Sequence, residues 1–155
     1  MKKLLFLVLI SPYVLSADNK IFIDQIGATL NLNVEQLGSS NIVGGSASTA
    51  GTPTALTLVG VTQTLEINQI GDSNEFLGDI VSDSITGQFD FDGSSNTFDV
   101  NFDATNTFGA DTADVVVDVS GSTNTFALNV GTASLASQLD LDWTIQGTGN
   151  SRPVS

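Results

Sequence analysis

Two carboxylate pairs, Asp90-x-Asp92 and Asp140-x-Asp142, are the residues most readily read as chemistry. Positions i and i+2 of a strand share a face, and paired carboxylates do acid–base work in glycosidases. Here, however, the acids alternate with Phe89, Phe91, Leu139 and Leu141. That alternation describes a strand with one wet face, so the pairs read first as a solvated acidic surface. Their oxygens suit Ca²⁺, but no Asp-x-Asp-x-Asp-Gly loop with a distal Glu is present. No metal site is therefore expected. The 155 residues contain no His and no Cys. Ser–His and Cys–His nucleophile pairs, ordinary zinc sites and disulfides are thereby excluded. No Gly-rich loop carries the Lys that a phosphate cradle needs. The chain reads as a non-enzyme that needs no cofactor. A formal net charge of −13 argues against nucleic acid and anionic lipid as partners.

The elements that hold these acids begin after a processing signal. Lys2 and Lys3 precede an unbroken apolar run over residues 4–10, which Pro12 ends. With Val14-Leu15-Ser16 before the cut, residues 1–16 have the layout of a secretory signal peptide. The run is far shorter than the ~20 apolar residues of a membrane span. Residues 17–155 then form one domain, secreted to the extracellular space or cell surface, with no membrane insertion after signal removal. Lys20 and Arg152 are its only basic side chains, against all 17 acids.

Within that domain a unit recurs. Its copies are Gln25-x-Gly27, Gln36-x-Gly38-x-x-Asn41, Gln69-x-Gly71-x-x-Asn74, Phe91-x-Gly93-x-x-Asn96, Val119-x-Gly121-x-x-Asn124 and Ile145-x-Gly147-x-x-Asn150. The glycines are spaced by 11, 33, 22, 28 and 26 residues. Between them apolar and polar residues alternate, as in Leu30, Leu32 and Val34, or Phe98, Val100 and Phe102. Period two is the strand signature, and no amphipathic helix period competes with it. Gly-x-x-Asn reads as a turn, with Gly supplying positive φ and Asn tolerating the left-handed region. Plain hairpins would be the simplest use of such turns. Apolar parity, however, runs straight across them, and the same side-chain type returns in each copy. Like positions stacked rung on rung form ladders, which points to an all-β, β-solenoid fold of strand–turn–strand rungs. Asn41, Asn74, Asn96 and Asn124 are expected inside the turns. Trp143 continues an inward series. Residues 44–57, rich in Gly, Ser, Thr and Ala, are expected to form a loose segment.

The Gln-x-Gly-x-x-Asn units resemble the curlin repeat, which has Gln, Gly two later and Asn three later in units of about 22 residues. The signal peptide, the lack of Cys and the acidic, Gly- and Asn-rich composition are similar to curlin subunits. The resemblance implies stacked rungs with Gln25, Gln36 and Gln69 in a Gln ladder and Asn41 and Asn74 in an Asn ladder. It implies a secreted structural protein that self-associates into a curli-like extracellular fibre serving adhesion or biofilm matrix. Its partners would be further copies of itself, a nucleator subunit and an outer-membrane secretion channel. From residue 85 onward Phe91, Val119 and Ile145 stand where the family has Gln. The alternative is a monomeric secreted or phage-borne binding module with an acidic face.

Overall fold

The computed structural model describes residues 18–45, 54–102, 112–130 and 138–151. Residues 1–16, read above as a signal peptide, together with Asp103 and the centre of the 44–57 segment, lie outside these residues. Ten strands are present: β1 (Asp18–Phe22), β2 (Asp24–Ile26), β3 (Thr29–Leu37), β4 (Ser40–Gly44), β5 (Leu56–Ile70), β6 (Ser73–Asp92), β7 (Ser95–Phe102), β8 (Thr112–Ser120), β9 (Thr123–Val130) and β10 (Leu139–Gln146). There is no helix among the described residues, and the strands form one nearly closed, barrel-like parallel sheet. The segment read as loose is ordered at both of its described ends. Gly44 closes β4, and Leu56 opens β5 fully buried in the core.

Every pairing is parallel and joins one pass of the chain to the next. In one column β1, β4, the first half of β6, β7 and β9 follow each other. In the other, β3, the second half of β5, the second half of β6, β8 and β10 do so. The short β2 lies against the start of β5, which in turn pairs with residues 78–82 of β6. Parallel neighbours cannot be joined by a tight hairpin. Each chain pass must therefore go round before it pairs, and the Gly-x-x-Asn corners carry it from one column to the other.

Alternation then sorts the side chains. Inward positions of β6 to β9 hold Phe76, Phe89, Phe91, Phe98, Phe102, Val115, Val117, Phe126 and Leu128, all at most 1% exposed. Strands in successive passes lie about 4.8 Å apart, so equal residues come within ring-stacking distance. Phe76, Phe98 and Phe126 form such a file, with centroids 5.8 and 5.2 Å apart and planes inclined by 17° and 20°. Phe89 meets Phe76 and Phe98 edge-on across the interior, each at 5.1 Å. Trp143 is half-buried and caps the file, edge-on to Phe126 at 5.6 Å.

Candidate functional site

The polar residues of the repeat form one continuous structure along the stack. Asn19, Asn41, Asn74, Asn96, Asn124 and Asn150 form an amide ladder. Each Nδ2 donates to the Oδ1 of the next, at 3.0, 2.9, 2.8, 2.9 and 2.9 Å. The same Nδ2 groups also donate to corner carbonyls, for example Asn41 to Ile70 and Asn96 to Ser120. Asn41, Asn74, Asn96 and Asn124 are at most 2% exposed, while Asn150 is half-buried at one end. An amide buried this deeply is costly unless both its ends are bonded, and the ladder bonds both. Asn19 belongs to it although no Gly stands three residues before; the register of β1 on β4 reveals it.

The Gln residues divide. Gln69 Nε2 donates to Gln36 Oε1 at 2.7 Å, and both side chains are buried. The ladder stops there because Phe91 holds the next place, and Gln69 Oε1 is left without a partner. Gln25 does not join. It is exposed and pairs in register with Leu58, in the file that continues through Ile80 and Phe102. Its neighbour Gly27 likewise lies not at the Gly38 corner but beside Gly60, whose position would bring a Cβ onto the Gly27 carbonyl. The Gln25-x-Gly27 spelling matches the repeat, but register places it half a pass away. Conversely, Gln63 was missed by the motif reading. It is 1% exposed between Leu30 and Ile85, and its Oε1 has no partner. Its inward parity with Leu65 and Ile67 was the available signal.

The corner glycines also differ from expectation. Among the described residues only Gly147 and Gly149 have positive φ, at 128° and 74°. Gly38, Gly71, Gly93 and Gly121 do not serve handedness. The last three allow close backbone approach: a Cβ on Gly93 would collide with the Gly71 carbonyl oxygen and stand 2.8 Å from Asn74 Nδ2. Gly121 repeats this one pass on, against Gly93 and Asn96.

On the outer surface the acids are wet. Asp90, Asp92, Asp99, Asp118, Asp140 and Asp142 are exposed. Asp90 stacks on Asp118 in register. Its partial burial, with Asp118 and Asp92 beside it, holds its carboxyl above the ordinary 3.8. Glu75, half-buried, is also raised, by desolvation. Elsewhere an amide faces the carboxylate: Asn33 Nδ2 donates to Glu66 at 2.7 Å, and Asn101 to Asp79 at 2.7 Å. Among the described residues no group of three or more acids is placed to hold a metal ion.

The remaining functional feature is the pair of open ends. At one end β1, β2 and β3 each pair on one side only among the described residues, and Ile21, Leu30 and Leu32 are half-buried. At the other, β10 pairs only with β8 among the described residues, and Leu141, Trp143 and Ile145 are half-buried. β9 is partly covered by the chain's own Ser151, which bridges to Thr125. No family model, no curated protein and no solved structure matches this chain.

Proposed function

We propose that this chain is a curlin-type β-solenoid and a secreted structural protein that associates with further copies of itself into an extracellular, curli-like fibre. One observation carries this reading: among the described residues both ends of an all-parallel sheet are open, and the Asn ladder and the apolar files run up to them. Unpaired N–H and C=O groups on a flat edge are a template for another chain. The Asn ladder, with the same side chain at the same height in every pass, lets a second copy extend it rather than bury a mismatch. Export by the signal peptide, a nucleator subunit and an outer-membrane channel belong to the same proposal. Purified residues 17–155 should form dye-binding fibres at high concentration. A chain that remains monomeric by analytical ultracentrifugation throughout would overturn the reading. It would favour instead the monomeric module whose stacked Asp90 and Asp118 present an acidic face.

A further inference from the structure

Resting on that reading, we infer which edges meet and in which register: β10 of one copy receives β3 of the next, with Leu141 level with Leu32 and Asp140 level with Asn31. The argument starts from availability. At the β10 end the first place along β9 is taken, because Ser151 N–H donates to the Asn124 carbonyl at 2.8 Å and Phe126 N–H to the Ser151 carbonyl at 2.9 Å. β10 has no such cover among the described residues, and β3 is its counterpart at the opposite end of the same column. The column carries one register through every pass. Asn31 lies level with Thr64, Thr86, Asp114 and Asp140 in turn. Continuing it by one step places the next Asn31 on Asp140, the next Asn33 on Asp142 and the next Glu35 on Thr144.

This continuation is complementary in three ways. No acid meets an acid, whereas sliding β3 by two residues toward its N-terminal end would set Glu35 against Asp142. Both acidic places of β10 receive an amide, the pairing the molecule already uses in Asn33–Glu66 and Asn101–Asp79. The half-buried Leu141, Trp143 and Ile145 are covered by Leu32, Val34 and Gln36. Gln36 can sit on Ile145 without loss, because its Nε2 already donates to the Asn19 carbonyl and its Oε1 accepts from Gln69. The incoming β1 then needs the ladder place held by Asn150. Docking of β3 therefore comes first, and displacement of Ser151 from β9 follows.

The absence of Cys from the chain makes the register directly testable. Two single variants, Asn31→Cys and Asp140→Cys, are mixed, assembled and oxidised. Level residues on neighbouring strands stand about 4.8 Å apart, within disulfide reach, whereas a partner two residues along is about 8 Å away and beyond it. The expected result is a dimeric crosslink from the 31/140 mixture and none from a 31/142 mixture made with Asp142→Cys. Asn31→Asp should also slow elongation at neutral pH roughly two- to fivefold, and Asp140→Asn in the same chain should restore it. Fibres that form normally but crosslink through 31/142, or through neither pair, overturn the register and leave self-association standing. Failure of the unmodified chain to assemble overturns both.

Discussion

Replacing Asn96 by Ala tests whether the amide ladder holds the stack together. Asn96 sits in its middle. It accepts from Asn74 at 2.8 Å and donates to Asn124 at 2.9 Å and to the Ser120 carbonyl at 3.1 Å. Truncation removes the two ladder bonds, each worth about 1 kcal/mol net, and leaves the buried Asn124 Oδ1 without its donor, at about 1–3 kcal/mol, while the Ser120 carbonyl keeps the Gly93 N–H. Asn74 Nδ2 retains the Asp92 carbonyl, so it adds little. The sum is roughly 3–5 kcal/mol, a large part of the ~5–15 kcal/mol that holds a typical domain folded. The comparison is Asn150→Ala at the end of the ladder. There Asn124 keeps the Gly121 and Gln146 carbonyls, and water reaches the half-buried site. That change should cost about 1 kcal/mol or less. Urea unfolding followed by the single Trp, Trp143, reads both. Equal losses for the two variants, within about 0.5 kcal/mol, would refute the ladder as a source of stability and leave the apolar files to account for it.

Three further outcomes follow from the same geometry. Gly93→Ala should destabilise far more than a Gly→Ala change at an open site. The added Cβ meets the Gly71 carbonyl, which is backbone and cannot swing away; an unchanged urea midpoint would show that the corner can open. Gln63→Leu should stabilise by about 1–2 kcal/mol, because it removes an acceptor with no partner and breaks only a 3.4 Å bond to the Val81 carbonyl; a loss of stability measured by urea would mean that Oε1 is satisfied in solution. Asp90 has a folded pKa raised above 3.8, so the folded chain binds its proton more tightly than the unfolded one. Its contribution therefore opposes folding at neutral pH and is relieved as pH falls through the raised value toward 3.8. Asp90→Asn should raise the thermal midpoint at pH 7 and flatten its rise on acidification; parallel pH profiles for variant and parent would show that neither desolvation nor the neighbouring Asp118 raises this carboxyl.

The class of fold was legible in the chain because alternation is a local property. Val115, Val117 and Val119 must face one way and Asp114, Val116 and Asp118 the other in any strand, whatever that strand pairs with. The corners were legible for a similar reason: Gly-x-x-Asn at 71–74, 93–96 and 121–124 preserves inward parity on both sides, which excludes simple hairpins. Two features of sequence were not enough. Gln25-x-Gly27 has the spelling of a corner but lies against Leu58 and Gly60, because a strand's neighbour is set by how many residues the chain spends going round. That number varies between passes from 22 to 33. The role of the corner glycines was also hidden, since no local rule says that another pass's carbonyl will stand where a Cβ would go. What the sequence determined alone was which face of each strand is apolar and where the chain bends. Which amide meets which, where the Gln ladder ends against Phe91, and which strands lie at the two ends of the sheet were decided only by register between passes, a long-range property that parallel pairing sets and no window of sequence contains.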